Sequence, residues 1–356
     1  MLFFLIILLL IISNELSFSG VGEFNKDYLD KKNTTAVNGV FVILIVFSHY
    51  AQYANFGGLY DDPYLALRAH LGQMVVASFL FYSGYGMMES IKKSGETYVK
   101  KILTKFWQLL LRCDMAVLLF LVLDVVLGIS YLPQQVLLAF TTWTSVGNSN
   151  WYITAILMIY IAMYVSFRIS GKLSEKIRDD IGILLTFLMT ILFVFIQMKL
   201  DRPTYCYNTM ILAPAGLLYS KHKDFFERII MRNDLTYYLT IAITIGVYVV
   251  AFFHKNDYGI EGYTVWALSF TALLVLFTMK VKLHNSILEW LGTHVFSIYI
   301  LQRMPMIILS NFGYIETHKY ISLIVSFAVT IPLAIIFEII TGHIITGVSC
   351  KARQQC

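Results

Sequence analysis

Charged residues are scarce in this chain. Only 14% of its 356 residues are Asp, Glu, Lys or Arg, whereas soluble domains contain about 25%. Hydrophobic residues make up 58%, and the mean hydropathy is +0.69. Long apolar runs recur along the whole length, which excludes a soluble protein and predicts an all-α polytopic membrane protein. The net charge of +5 therefore does not indicate nucleic-acid binding, because it follows from the side of the membrane that the loops face.

Cysteine and proline are also rare. The four cysteines form no CxxC motif and no Cys/His cluster, so the sequence predicts neither a zinc site nor a disulfide framework, and we expect no metal. Six prolines leave no room for a disordered linker, and no repeat of about 20–50 residues is visible. We expect no appended soluble domain.

Ten apolar stretches are long enough to predict a ten-helix transmembrane core, and the run at 1–13 predicts one extra N-terminal hydrophobic helix. The segment 132–143 is too short to span. The predicted division is an N-terminal helix with a cytoplasmic linker at 1–36, the core at 37–348 and a cytoplasmic tail at 349–356. The ten predicted spans are 37–56, 70–89, 107–129, 150–168, 180–199, 203–220, 234–254, 264–280, 287–310 and 320–345.

Lysine and arginine positions predict the orientation of this core. If residues 19–36 face the cytoplasm, twenty of the 27 basic residues fall in cytoplasmic segments and five in outer loops. The remaining two, Arg112 and Arg303, lie within predicted spans. The pattern predicts a multi-pass protein of the cell membrane with both ends of the core in the cytoplasm. The opening segment has no basic n-region and no clear cleavage site, so we expect an uncleaved helix that starts outside.

One predicted span carries a histidine. Asn38 and His49 are eleven residues apart, which puts both on one helix face and roughly 16 Å apart along the axis. The predicted direction places Asn38 near the cytoplasmic end and His49 towards the outer leaflet. An ionisable residue inside a span indicates a functional site, although an interfacial histidine bonded to a neighbour explains the position equally well.

Six segments, in order along the core, resemble the acyltransferase-3 family of integral-membrane acyltransferases. The first is similar to the family's motif of a basic residue, ten intervening residues and a histidine, and the others to its later helix motifs. Two positions depart from the family pattern, because Asn38 replaces the basic residue and Gln302 stands where histidine is frequent. The segments are NGVFVILIVFSHY (38–50), SFLFYSGYGMMES (78–90), YVKKILTKFWQLLLR (98–112), GNSNWYITAILMIYIAMY (147–164), APAGLLYSK (213–221) and LEWLGTHVFSIYILQRMP (288–305).

The resemblance implies transfer of an acyl group, usually acetyl from acetyl-CoA, to a hydroxyl of a carbohydrate or cell-envelope glycan. A general base with a pKa near the working pH helps a poorly nucleophilic hydroxyl attack a thioester, and histidine has that property. We expect His49 to be this base, or to carry the acyl group covalently. Asn38 would contact the donor, and Arg303 would stabilise an oxyanion or hold an acidic sugar. A structural ion pair of Arg303 with a glutamate is the alternative.

The donor's phosphates need cations, and Arg112 together with Lys100, Lys101 and Lys105 could supply them, although positive-inside topology alone also explains the lysines. We expect the acceptor to meet aromatic and amide side chains of the outer loops, although Trp and Tyr also form interfacial belts. The predicted acceptor-binding residues are Asp61, Asn150, Trp151, Tyr152 and Gln302.

A multi-pass transporter or flippase of a glycan or lipid-linked precursor is the alternative function. It would also have many spans and intramembrane charges, and broken helices or an inverted repeat would favour it. A cavity open to the cytoplasm, ending at His49 and large enough for coenzyme A, would favour the enzyme. The expected partners are acyl-CoA, a hydroxyl-bearing acceptor and membrane lipid. The sequence does not identify the acceptor, the acyl chain length or the oligomeric state.

Overall fold

The computed structural model describes residues 1–354, and the side chains of residues 1–347. The fold is almost entirely helical, with one two-stranded ribbon of β1 (Leu16–Phe18) and β2 (Val281–Leu283) and one 3-10 turn (Thr204–Cys206). The helices are α1 (Leu2–Ser13), α2 (Lys31–Tyr50), α3 (Asp62–Leu71), α4 (Met74–Leu127), α5 (Pro133–Ala139), α6 (Trp151–Ser170), α7 (Glu175–Lys199), α8 (Leu212–Lys221), α9 (Lys223–Ile230), α10 (Asp234–His254), α11 (Gly259–Lys280), α12 (Ser286–Thr293), α13 (Val295–Leu301), α14 (Arg303–Asn311), α15 (Tyr314–Thr317) and α16 (Lys319–Gln354).

Several of these helices can cross a membrane, which confirms the all-α membrane class. Six are long and apolar enough within the described residues, and the predicted count of ten spans is not confirmed. Helix α16 continues to Gln354, into the predicted tail 349–356, whose last two residues lie outside the described part. The six segments are Lys31–Tyr50, Trp151–Ser170, Glu175–Lys199, Asp234–His254, Gly259–Lys280 and Lys319–Gly347.

Helix α4 contains two of the predicted spans in one element of 54 residues. Its backbone leaves the helical conformation at Gly95, where φ is 52° and ψ is −132°. A residue with a Cβ rarely adopts such a conformation, so glycine permits the break. The predicted spans 70–89 and 107–129 lie on either side of this break, and the lysine-rich segment between them, Lys92 to Lys105, contains it.

Two other predicted spans are broken in the structure. The stretch 203–220 contains a 3-10 turn and the ten-residue helix α8, which is about 15 Å long and therefore shorter than a bilayer core. The stretch 287–310 divides at His294 into α12 and a second helical piece, Val295–Asn311, which contains α13 and α14. At Gln302, between α13 and α14, the backbone keeps helical angles, with φ −55° and ψ −25°. Hydropathy reports that a segment is apolar but not where its backbone bends, so the structure does not confirm these two stretches as spans.

The segment before the core runs along it. Helix α1 has 12 residues and starts beside the loop after α2, where the Met1 amino group lies 2.7 Å from Asp61 Oδ1. At its other end, β1 pairs antiparallel with β2, with Leu16 opposite Leu283. Helix α1 therefore begins at the His49 end of α2 and ends towards its Asn38 end. The extra N-terminal helix expected from the sequence is present, although it is short for a bilayer.

Helices α2 and α12 cross with their backbones in contact. A Cβ on Gly39 of α2 would overlap the carbonyl oxygen of Leu288, and a Cβ on Gly292 of α12 would overlap the carbonyl oxygen of Thr35. Small residues allow this close approach between membrane helices. The reciprocal glycines fix α2, which carries His49, against the α12–α14 segment.

Helices α4 and α8 also cross with their backbones in contact at two glycines. A Cβ on Gly84 would overlap the carbonyl oxygen of Ala213, and a Cβ on Gly216 would overlap that of Phe81. Gly84 and Gly216 therefore allow the two helices to pack closely. The crossing holds the start of α4 beside the segment 202–206 that precedes α8, and both contribute to the wall described next.

Candidate active site

A cavity of about 480 Å³ lies at the His49 end of α2, within the range of about 300–1,000 Å³ of small-molecule sites. Its wall comes from the end of α2, from α3, from the start of α4, from the loop before α6, from the segment before α8 and from the junction of α13 and α14. The segments between the helices are mostly those predicted to face outside. Lining residues include Ser48, His49, Gln52, Tyr64, Arg68, Gln73, Trp143, Asn148, Ser149, Asn150, Trp151, Arg202, Tyr205, Tyr299 and Arg303.

His49 lies in the wall of this cavity and is almost fully buried. The side-chain nitrogen of Gln302 lies 2.8 Å from its Nδ1, and Ser149 Oγ lies 3.5 Å from the same atom. The ring of Tyr299 packs near the imidazole with centroids 5.9 Å apart. His49 is thus held on its Nδ1 side by the α13–α14 junction and by the loop before α6.

The hydrogen bonds of Gln302 show which tautomer of the neutral His49 ring the structure favours. Its amide nitrogen is 2.8 Å from His49 Nδ1 and 3.1 Å from the carbonyl oxygen of Tyr299. An amide nitrogen has two hydrogens, so it donates to both acceptors. A neutral imidazole that accepts at Nδ1 carries its proton on Nε2. If Gln302 turned its oxygen towards His49 instead, Nδ1 would carry the proton and Nε2 would be free to accept one.

Three arginines line the same cavity, namely Arg68 of α3, Arg202 before α8 and Arg303 of α14. The Arg202 guanidinium stacks over the ring of Trp143 with its Cζ 4.5 Å from the centroid. Arg303 donates to the side-chain oxygen of Gln52. In the described part of the chain none of the three forms an ion pair, and no lining residue of the cavity is acidic. The cavity therefore carries an uncompensated positive charge.

The loop before α6 is fixed by two buried asparagines. Asn150 Nδ2 donates to the carbonyl oxygens of Thr142 and Thr144, and Asn148 Oδ1 accepts from the Val146 N–H at 3.0 Å. Asn148 Nδ2 is buried and, among the described residues, has no hydrogen-bond partner. The loop thus presents Ser149 and one free amide group at the cavity wall.

A second, narrower pocket of about 170 Å³ lies beside the first and shares Ile45, Val76 and Tyr299 with it. It lies towards the predicted cytoplasmic side of His49 and is mostly apolar. Its remaining lining residues are Phe79, Ser83, Leu109, Tyr152, Ile153, Ile156, Tyr160, Val295 and Phe296. The polar cavity and the apolar pocket therefore adjoin close to the histidine.

The comparison with known families decides the class of protein. A family model described as an acyltransferase domain matches residues 35–343. The chain belongs to the acyltransferase-3 family. The match covers everything from the first turn of α2 to most of α16, and with the apolar helices it makes this chain a membrane acyltransferase. No curated protein and no solved structure matches the chain.

In this acyltransferase the structure brings together part of the predicted site. His49, Arg303, Asn150 and Trp151 line the polar cavity, and Gln302 contacts His49 from behind. The Asn150 amide nitrogen is occupied by the backbone of its own loop. Tyr152, predicted to contact the acceptor, lines the apolar pocket instead.

The predicted donor-side residues lie away from both spaces. Asn38 and Arg112 line neither, although Asn38 Oδ1 and Arg112 Nε are buried without a hydrogen-bond partner in the described chain. Lys100 pairs with Glu96 at 3.3 Å, and Lys105 donates to the Tyr98 hydroxyl at 2.9 Å. Lys101 is exposed.

Asp61 lies outside the cavity, in a buried charge cluster. Its carboxylate accepts hydrogen bonds from Lys319 at 2.8 Å, Tyr320 at 2.9 Å, the Gly57 N–H at 3.1 Å and the Met1 amino group. Burial alone would raise the pKa of Asp61, but these donors outweigh it and hold the pKa below its ordinary value. The arrangement ties the loop after α2 to the start of α16.

Sequence reasoning did not assign Arg68, Arg202, Ser149 or Tyr299 to the site. Arg68 and Arg202 belong to the five basic residues predicted in outer loops, where basic residues are rare. This rarity of basic residues in outer loops was the one sequence feature that could have indicated a functional role for Arg68 and Arg202. Ser149 and Tyr299 lie inside the motifs at 147–164 and 288–305, but nothing in their spacing shows that they meet His49.

Proposed function

We propose that this acyltransferase is an O-acetyltransferase that moves the acetyl group of cytoplasmic acetyl-CoA to a hydroxyl of a cell-envelope or exported glycan, with His49 as general base. The observation that carries the proposal is the position of His49. His49 lines a polar cavity suited to a hydroxyl-bearing acceptor, and this cavity shares Ile45, Val76 and Tyr299 with an apolar pocket suited to an acyl group. The Tyr299 ring packs near the imidazole, with centroids 5.9 Å apart.

The reaction needs one proton to be removed and later returned. The acceptor oxygen attacks the thioester carbonyl carbon while Nε2 of His49 takes the hydroxyl proton. The tetrahedral intermediate then collapses, the carbon–sulfur bond breaks, and the coenzyme A thiolate takes the proton from the imidazolium. The products are the acetyl ester and free coenzyme A. Arg303 supplies positive charge for the oxyanion.

Nε2 of His49 can accept the hydroxyl proton only if it carries no hydrogen beforehand, and this requires a particular orientation of the Gln302 side chain. Its oxygen has to accept from Nδ1–H of His49, which is the reverse of the ground-state contact of its amide nitrogen. Rotation of the amide by half a turn provides this. After the rotation, the amide oxygen faces the Tyr299 carbonyl oxygen, to which the amide nitrogen donates before the rotation. The orientation of Gln302 therefore controls which ring nitrogen of His49 is basic.

The donor is proposed to reach His49 through the apolar pocket. Its acyl group and thioester would lie between α2, α4, α6 and α13, whose side chains line that space. Its phosphates would bind at the basic segment that begins α4's second half, where Lys100, Lys101 and Lys105 lie, with Arg112 and Asn38 along the route. Acceptor contacts would come from Trp151 and other aromatic rings of the polar cavity.

The test is acetyl-CoA consumption by the purified protein in detergent with candidate glycans. His49→Ala should lower the rate by about 10²–10⁴-fold, the usual contribution of a general base, while the protein stays folded in the membrane fraction. The matched control is His70→Ala, because His70 stacks on Phe252 away from the cavity. Full activity of His49→Ala would disprove the base role, and glycan movement without thioester consumption would indicate a transporter.

A further inference from the structure

We propose that the polar cavity selects an anionic acceptor, with Arg68 and Arg202 binding its carboxylate or phosphate groups and Arg303, proposed above for the oxyanion, adding positive charge to the same cavity. The inference rests on the proposed function, because it names the class of acceptor for that same site. It goes beyond the transfer reaction itself, which needs only a hydroxyl.

The first support is the balance of charge. Three guanidinium groups from three separate segments line one cavity, and no acidic side chain of the described residues lines it with them. Arginine cannot lose its charge under ordinary conditions. A neutral sugar would leave this positive charge uncompensated when it displaces the water, whereas an acid group would neutralise it.

The second support is how the guanidinium groups are held. Arg202 lies over the ring of Trp143, with its Cζ 4.5 Å from the centroid, and Arg303 donates a hydrogen bond to Gln52. Arg202 Nε and Arg303 Nε are buried, and the described chain offers neither a hydrogen-bond acceptor. Fixed guanidinium planes with open N–H groups match the two oxygens of a carboxylate or phosphate. A buried donor without a partner is costly, so a bound acid group would satisfy what the fold leaves open.

The third support is the distribution of basic residues along the chain. Only five of the 27 lysines and arginines fall in predicted outer loops, and Arg68 and Arg202 of those five meet in this cavity. Positive-inside topology disfavours cations on that side, so it does not account for the cluster. The Lys100–Lys105 segment, predicted to face the cytoplasm, leaves the donor's phosphates a separate set of cations.

The experiment is a binding measurement that does not depend on turnover. Purified protein is titrated with a tetrasaccharide of alternating glucuronic acid and N-acetylglucosamine, and with the same tetrasaccharide after its carboxyl groups are reduced to alcohols. Glucose 1-phosphate against glucose forms the phosphate arm. We expect the acid-bearing member of at least one pair to bind about tenfold more tightly, and the preference to shrink at high salt.

The variants Arg68→Gln and Arg202→Gln should each reduce the preference for the acidic over the neutral ligand. The double variant should abolish this preference, while its affinity for the neutral ligand stays unchanged. The matched control is Lys199→Gln, because Lys199 is an exposed basic residue predicted on the same side that does not line the cavity. Thermal unfolding of each variant checks that it is folded. The arm that responds, carboxylate or phosphate, identifies the acid group.

Equal binding of the acidic and neutral members of both pairs would overturn the proposal. The proposal would also be overturned if the arginine variants bound free coenzyme A more weakly but bound the acidic sugar as wild type does, because the cavity would then hold the donor's phosphates. His49→Ala separates the two proposals. We expect His49→Ala to bind the acidic ligand as wild type does. Disproof of His49 as the base would therefore leave the binding result unchanged. Equal binding of acidic and neutral ligands would likewise leave the role of His49 as base unaffected.

Discussion

The side-chain nitrogen of Gln302 lies 2.8 Å from Nδ1 of His49, although the two residues are 253 positions apart in the chain. His49 belongs to α2, and Gln302 lies at the junction of α13 and α14, which follow α12 in the chain; the glycines of α2 and α12 hold those two helices in backbone contact. This relationship places the proposed base under the control of one neutral amide, which is fully buried and also donates to Tyr299.

Replacing that amide should change catalysis more than folding. Gln302→Leu keeps the volume but removes the group that orients His49, so we expect kcat to fall about 10–100-fold, the cost of a lost hydrogen bond to a buried polar group. Gln302→Glu offers a carboxylate that accepts from Nδ1–H and favours a proton on an imidazolium, so its rate profile should move to higher pH. The measurement is kcat against pH. An unchanged kcat for Gln302→Leu would show that His49 does not depend on Gln302.

Donor binding can be tested with two thioesters that differ only in the nucleotide. If Lys101 and Arg112 bind the phosphates of acetyl-CoA, Lys101→Ala and Arg112→Ala should raise the KM for acetyl-CoA about five- to tenfold, as expected for loss of a charge-assisted contact. The KM for acetyl-pantetheine, which lacks those phosphates, should not change. Lys31→Ala is the control, because Lys31 is exposed at the start of α2. Equal effects on both donors would disprove phosphate binding.

The helix crossing of α2 and α12 predicts unequal effects of two glycine substitutions. Gly39→Ala puts a methyl group onto the Leu288 carbonyl and should lower both the melting temperature and the activity. Gly86→Ala is the matched control, because a Cβ at Gly86 meets nothing within 4 Å. Alanine at that helical site should stabilise by about 0.5–1 kcal/mol. Thermal unfolding of both variants in the same detergent is the measurement, and a stable, active Gly39→Ala would contradict the described crossing.

Asp61 predicts a dependence of stability on pH. Its pKa is lower in the folded state than its ordinary value, so its contribution is present at neutral pH and is lost as the pH falls through the folded pKa. Asp61→Asn should destabilise the protein by about 1–3 kcal/mol near pH 7, because buried donors lose a charged acceptor. The difference from wild type should narrow in acid. Asp62→Asn, at an exposed neighbour, should be neutral in the same unfolding measurements.

The sequence could predict the class and most helices, because apolar length is a local property of the chain, whereas the direction of α2 across the membrane stays a prediction from basic-residue asymmetry. It also pointed to His49 and to the late motif that contains Gln302. It could not predict that 287–310 breaks at His294, because the pieces on both sides remain apolar. The break matters for the site, since Gln302 contacts His49 from the junction of α13 and α14.

The arginine cluster was beyond sequence reasoning for a different reason. Arg68, Arg202 and Arg303 come from three segments far apart in the chain, and only the tertiary fold brings them to one cavity. Asp61 shows the reverse case. As an acidic residue in an outer loop it suggested acceptor binding, but Lys319 and Tyr320 bind it from the far end of the chain. Local pattern does not reveal such partners.

The reciprocal glycines of α2 and α12 leave no side chain between the two backbones at their crossing. A pair of helices joined in this way has no rotamers to adjust there, so α2, which carries His49, and α12 form one rigid unit at the crossing. Any rearrangement that admits a donor or an acceptor must then come from elements packed around that unit. Helix α10 lies outside that unit, and only 11% of its most apolar 18-residue window is buried, so most of its surface is left for lipid.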